Sequence, residues 1–402
     1  MSGPDARNPA DDRRALIVLL GVIFLMIAGF GLVIPLLPFF AKAFNAPAWQ
    51  ITLLFSAFSL GQFIGEPFWG RLSDRIGRKP VLIVTIGMVA LSYVGLAFAP
   101  NLAVAFAVRF ACGLFSGNIS TLQGSLADIT PPEQRAARMG VMGSAFSLGF
   151  MTGPAIGGLL AQPSKGALGF QLPLLVAAGF GLASMLAVIF FVRETSPMTD
   201  TRRPGQRTAG LREAFSHQII SRVLVISFVV VSGFAGIEAT YGLWTEHQFG
   251  WGPRQIGLAF MGIGALGAFC QGYLTGRLVR RHGEARVLSA GLVFMLIGML
   301  TQAFAPVWPI AMVGFAFVCL GQSICFPNLS ALISHSAPRE RQGEMLGLNM
   351  SSNALARIGG PIIAGQLFSL VSPNAPFLLT AALIIPALWF AAQVRRLVPR
   401  PA

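Results

Sequence analysis

Apolar runs of about twenty residues alternate with short polar segments along the whole chain. They fall near 15–40, 50–72, 80–99, 101–126, 138–161, 170–192, 219–245, 254–277, 286–305, 307–333, 345–370 and 375–394. At about 1.5 Å per residue, a run of ~20 residues crosses a hydrocarbon core of ~30 Å as an α-helix. A helix also satisfies its own backbone hydrogen bonds, which lipid cannot do. The pattern predicts an all-α membrane protein with twelve transmembrane helices. An even number of spans puts both termini on one side.

The longest polar stretch is Arg193–Gln218, with Pro197, Pro204, Gly205, Gly210 and several arginines. It reads as a linker holding one short amphipathic helix at Leu211–Phe215. The expected organisation is a tail at 1–14, a six-helix bundle at 15–192, the linker at 193–218, a second bundle at 219–394 and a tail at 395–402. The two halves repeat. Gly70-Arg71-Leu72 answers to Gly276-Arg277-Leu278 and Gly77 to Gly283. Pro132 to Arg135 answers to Pro338 to Arg341, and Gly153-Pro154 through Gly158 to Gly360-Pro361 through Gly365. Such an ordered series at near-constant offset predicts two pseudo-symmetric bundles in parallel repeat.

Composition adds the solvent. Of 402 residues, 54% are hydrophobic and 11% charged, with mean hydropathy +0.69. A soluble chain carries roughly 25% charged residues. The net charge of +14 could suggest nucleic acid. The distribution points to the bilayer instead, because the bases gather in or beside the termini and alternate loops. The exceptions are Lys42, Lys165 and Arg254 on the other side and Arg109 and Arg357 inside spans. That bias makes the side of the termini cytoplasmic, and the expected location is a cell (inner) membrane. The first run is too long for a signal-peptide core and reads as a retained span. Four cysteines, all in predicted spans, imply no disulfide framework and no metal site. Four histidines lack metal spacing. No nucleotide-binding glycine loop and no nucleophile triad is present, so neither a cofactor nor an enzyme activity is expected.

One loop is far more specific. Gly70-Arg71-Leu72-Ser73-Asp74-Arg75-Ile76-Gly77-Arg78-Lys79 joins spans two and three. A generic basic loop explains Arg75, Arg78 and Lys79 but neither the placed glycines nor the lone Asp74. The segment resembles the signature loop of the major facilitator superfamily, matching every fixed position of Gly-x-Leu-x-Asp-Arg-x-Gly-Arg-Lys. That resemblance implies a gate in which Asp74 pairs with Arg78 and with Asp128 at the end of span four. In the second half Arg280 stands where Asp74 stands, so the twin loop has decayed.

Span five carries small residues at Gly149, Gly153 and Gly157, beside Pro154 and Gly158. Physically this is a ridge for close helix packing with a bend. It resembles the helix 5 element of antiporters in the superfamily, which implies export. Gly29 to Pro38 resembles helix 1 of twelve-span drug:proton antiporters, including tetracycline pumps. Met26 stands where those pumps carry an acid, which speaks against a metal–tetracycline substrate. Arg109 and Gly113 resemble the helix 4 element of the same antiporters. Glu238 lies in a segment resembling helix 7 of quinolone-type multidrug exporters.

Ionisable groups inside a bilayer are expensive and mark function. Glu238 is therefore expected to couple proton movement, with Arg109 at the same level of a central cavity. Glu66, before Pro67, either carries protons or locks a gate with Arg357 of span eleven. Phe30, Phe58, Phe115, Phe146, Phe234, Tyr241 and Phe326 are the candidate cavity wall, though aromatics on spans more often face lipid or core. The resemblance implies a monomer that exports small apolar or amphipathic compounds in exchange for protons by alternating access. A proton-coupled exporter of a single metabolite or lipid-like compound is the alternative.

Overall fold

The computed structural model describes residues 9–131, 134–194, 217–338 and 341–397. The predicted linker helix and most of both tails lie outside them. Twelve helical spans follow one another among the described residues. They are α1 (Arg14–Lys42), α2 (Ala48–Ile76), α3 (Arg78–Ala97), α4 (Leu102–Asp128), α5 (Arg135–Leu160) and α6 (Pro163–Phe191) in the first half. The second half has α7 (Gln218–Phe249), α8 (Pro253–His282), α9 (Glu284–Ala303), α10 (Trp308–Ser336), α11 (Gln342–Leu370) and α12 (Ala375–Leu397). Eleven are long and apolar enough to cross a membrane on composition alone. The exception is α11, which carries Asn349, Ser351, Ser352, Asn353 and Arg357. Its polarity marks a helix that turns part of its surface away from lipid.

Several spans are interrupted where the sequence removes a donor or a side chain. Pro35 sits in a 3₁₀ turn, Ile34–Leu36, inside α1. The α4 span breaks at Phe115–Gly117, and Asn101 caps its start by accepting from the Val104 N–H at 3.0 Å. In α8 the ladder widens to a π-turn over Cys270–Thr275, where the Thr275 hydroxyl donates to the Cys270 carbonyl at 3.1 Å. Gly77 (φ 102°) and Gly283 (φ 80°) sit between α2 and α3 and between α8 and α9. Both adopt a conformation that a side chain disfavours, so the repeated glycines are repeated turns.

Packing repeats as well. The neighbours α1–α5 and α3–α6 of the first half recur as α7–α11 and α9–α12 in the second. The halves meet chiefly through two helix pairs, α2 with α11 and α5 with α8, with smaller contacts of α7 on α1 and α2 and of α8 on α1. These contacts concentrate toward the face away from the termini. There Gly257 lies against the Pro154 carbonyl and the Gly158 Cα, Gly365 lies against Thr52, and the Ser56 hydroxyl donates to the Ile358 carbonyl at 2.8 Å. Lys42 Nζ and Glu246 close the same face at 2.6 Å. The α5–α8 contact extends to Met151 and Gly264. Beyond it, toward the termini, Gly140 and Gly143 of α5, Gly272 and Gly276 of α8 and Gly343 and Gly347 of α11 meet open space. The close contacts between the halves thus gather at the far face, and these six glycines toward the termini touch nothing of the other half.

Candidate functional site

The loop between α2 and α3 builds a compact charged cluster. Asp74 and Arg78 are four residues apart, and their side chains pair at 2.7 Å. The Arg78 Nε donates to Asp128 at the end of α4 at 3.2 Å, and its Nη1 donates to the Ser73 hydroxyl at 2.7 Å. The pairing expected of Asp74, Arg78 and Asp128 is present. Gly124 lets the guanidinium lie flat on α4, since a Cβ there would meet Arg78 Cζ at 2.8 Å. Gly70 has open space around it, and Arg75 is exposed outside the cluster.

A fourth partner comes from far along the chain. The Glu194 carboxylate accepts from the backbone N–H of Arg78 at 2.7 Å and of Lys79 at 3.0 Å. These are two orphan donors at the start of α3, where an anion is favoured by free N–H groups and the helix dipole. Lys79 Nζ donates to the Ile189 carbonyl of α6 at 2.8 Å. The cluster thus ties α2, α3, α4 and the end of α6 together, all within the first half.

The twin loop is not simply decayed. Glu284 stands at the position of Arg78, and it pairs with His335 at the end of α10 at 3.2 Å. Arg280 stands at the position of Asp74, and Glu344 at that of Arg138. At three equivalent positions the sign of the charge is reversed between halves.

The charged residues inside spans fall into two groups. Arg109 is 2% exposed, with its guanidinium over the Phe58 ring at 4.6 Å. Tyr93 and Cys112 are its ionisable neighbours, and its Nε has no hydrogen-bond partner. It sits where α2 and α4 approach through Gly61 and Gly113. It does not join Glu238, as its depth along α4 had suggested. The second group is Glu66 of α2, Glu238 of α7 and Arg357 of α11. Arg357 is exposed, both carboxylates are half-buried, and the Arg357 charge acts on each of them. Among the described residues it forms an ion pair with neither.

The aromatics also separate. Phe146 and Phe326 are exposed at about 40%, whereas Phe30, Phe115 and Phe234 are half-buried. Phe58 is buried against Phe30, ring centroids 5.4 Å apart. Tyr241 has no exposed surface. It stacks on Phe315 of α10 at 4.0 Å and touches Phe260 and Trp244, so it belongs to an aromatic core rather than to an open wall. In α5, Gly149 and Gly153 bed α1, where Cβ atoms would meet the Phe24 and Ala28 carbonyls. Gly157 beds on Leu32, and Gly158 faces α8 across the halves.

With this geometry in hand, comparison with known proteins is informative. The model of the Major Facilitator Superfamily matches residues 19–281 and 223–402. Quinolone resistance protein NorA of Staphylococcus aureus (strain COL) is 29% identical over 367 residues, 88% of this chain and 90% of its own length. The class C tetracycline resistance protein of Escherichia coli is 30% identical over 364 residues, 89% and 90% of the two lengths. Among solved structures, the human organic anion transporter MFSD10 superposes with TM-score 0.70 at 25% identity, covering 96% of this chain and all of the other. A bacterial homolog of the human lysosomal transporter Spinster, inward-facing and unoccupied, superposes with TM-score 0.79 at 15% identity over 97% and 98%, a likeness of fold.

Proposed function

The chain belongs to the major facilitator superfamily, as a transporter and not an enzyme, and from that footing we propose that it exports small apolar or amphipathic compounds in exchange for protons. The observation that carries the proposal is that Glu66, Glu238 and Arg357, one from each of three helices, lie at successive depths inside the spans. Titratable groups there cost free energy that only a transport pathway or proton relay explains well. The drug-resistance relatives, one named for quinolones and one for tetracycline, support a drug-like substrate class.

In this reading the termini are cytoplasmic, in keeping with Arg395 and Arg396 at the end of α12. The chain lies in a cell (inner) membrane, and the open face admits substrate from the cytoplasm. One chain supplies both halves of the pathway, so a monomer suffices. Exposed Phe146 and Phe326, and half-buried Phe30, Phe115 and Phe234, offer apolar surface to a substrate. Glu238 is the principal proton site. Parting the α2–α11 and α5–α8 contacts would open the far face, and a proton arriving from outside would take the carboxylate from the departing substrate. The Asp74–Arg78–Asp128 cluster is the gate of the cytoplasmic face.

Ethidium movement in everted membrane vesicles tests the proposal. Energised vesicles should accumulate the dye, and an uncoupler should release it. Accumulation that persists with an uncoupler, or that never exceeds empty-vector vesicles, would overturn the reading.

A further inference from the structure

Helix contacts fix the heights of the three charged side chains. The Ser227 hydroxyl of α7 donates to Asn353 Oδ1 of α11 at 2.8 Å, and Gly236 lies against Ala364 and Gly360. Arg357 is therefore level with about residue 230 of α7. Glu238 lies roughly eight residues, or ~12 Å, nearer the far face. On α2, the Ser56 hydroxyl bonds to the Ile358 carbonyl, which puts Arg357 level with Ser56. Glu66 is ten residues on, ~15 Å nearer the termini. Arg357 thus stands between the two carboxylates along the membrane normal. It is exposed and unpaired with either, yet its charge reaches both.

We propose that Arg357 is a shared counter-ion that leans toward Glu66 in one state and toward Glu238 in the other, so that only one carboxylate is neutralised at a time. This rests on the reading of proton-coupled export and deepens it. Arg357 is a positioning residue: it takes no proton itself, and it decides which carboxylate is free to do so. The guanidinium stays charged throughout, and its long stem lets it move without the helix moving. The separation is too long for one guanidinium to bridge both acids. A carboxylate deserted by its counter-ion inside the membrane takes a proton more readily. Closing one face and opening the other would then switch the proton site.

Few other groups compete. Around Glu238 the remaining ionisable neighbour is the Cys319 thiol of α10. Around Glu66, Arg357 is the charge that acts. Arg109 faces Tyr93 and Cys112 instead. Among the described residues α1, α8 and α12 bring no charge to Glu238.

The test is the pH at which ethidium accumulation in everted vesicles is half-maximal, in wild type, Glu66→Gln, Arg357→Gln and Arg357→Lys. With Glu66 neutral, the guanidinium stays with Glu238 and holds it ionised, so the midpoint should fall by about one unit. Arg357→Gln should raise it by a comparable amount, and Arg357→Lys should restore most of the difference. A variant that inserts but does not pump is read by the pH dependence of ethidium binding to purified protein, which carries the same midpoint. A midpoint unmoved by Glu66→Gln but moved by Arg357→Gln would show that Arg357 serves Glu238 alone and would overturn the sharing. A midpoint unmoved by either would remove Arg357 from the coupling altogether. Wild-type accumulation that ignores an uncoupler would overturn the export reading, and this proposal with it.

Discussion

Replacing Gly257 with Ala tests whether the far face is a moving contact. Gly257 of α8 lies on Gly158 of α5 across the two halves, with its Cβ position 3.1 Å from the Gly158 Cα and closer still to the Pro154 carbonyl. A methyl group there overlaps backbone on both counts, and backbone cannot swing aside as a side chain can. Overpacking of this kind costs about 1–3 kcal/mol. In alternating access the contact exists while the far face is closed and is absent when that face opens, so the cost falls on one state only. A difference of ~1–3 kcal/mol shifts the ratio of the two states by roughly 5- to 150-fold. The assay is maleimide labelling of a Ser144→Cys probe, exposed on α5 beside Gly140 and Gly143. The four native cysteines are buried, so background is low. Gly257→Ala should slow labelling at residue 144 by at least about fivefold and cripple ethidium export. Gly153→Ala is the control, because its Cβ would meet Ala28 and Leu32 of α1 within the same half. It should lower thermal stability without changing the labelling rate of the folded fraction. Wild-type labelling and transport in Gly257→Ala would refute the idea that this contact opens and closes.

Asp74→Asn removes one of the two carboxylates on Arg78 at a half-exposed site. Such a pair is worth only ~0–1 kcal/mol of stability, so the variant should insert and melt like wild type yet lose most ethidium export; full export would dismiss the gate role. Phe58→Ala removes a buried ring that carries Arg109 on its face and Phe30 on its flank. It should lower the melting temperature of purified protein well below that of Phe146→Ala, whose side chain is about 40% exposed. Phe146→Ala should instead weaken ethidium binding, as read by fluorescence titration. The reverse order would exchange their roles.

The spans and the repeat were legible because both are properties of short windows. Runs of apolar residues announce helices, and a glycine with positive φ recurs at Gly77 and Gly283 because the same turn is needed twice. The Asp74–Arg78 pair was legible for the same reason, two residues four apart across one short turn. Partners across long separations were not. Glu194 caps α3 from more than a hundred residues away, and nothing in its own surroundings says which helix start it meets. Depth along a helix did not identify neighbours either. Arg109 and Glu238 were matched by depth, but rotation turns Arg109 between α2 and α4, toward Phe58. Tyr241 carried the same ambiguity, since an aromatic on a span fits a core as well as a cavity wall. The second loop misled for a subtler reason. Its motif is lost while a contact between the equivalent helix ends persists at Glu284 and His335, a relation visible only once the two ends are seen together.

Proton movement by the purified protein is the most direct measure of the central claim. Wild type in proteoliposomes, loaded with a pH-sensitive dye and given an outward ethidium gradient, should move protons into the vesicles as ethidium leaves. Glu238→Gln should abolish that proton movement while still binding ethidium, because Gln keeps the size and hydrogen-bonding capacity of the side chain and loses its titration. Proton movement of wild-type size in Glu238→Gln would place the coupling elsewhere and contradict the account.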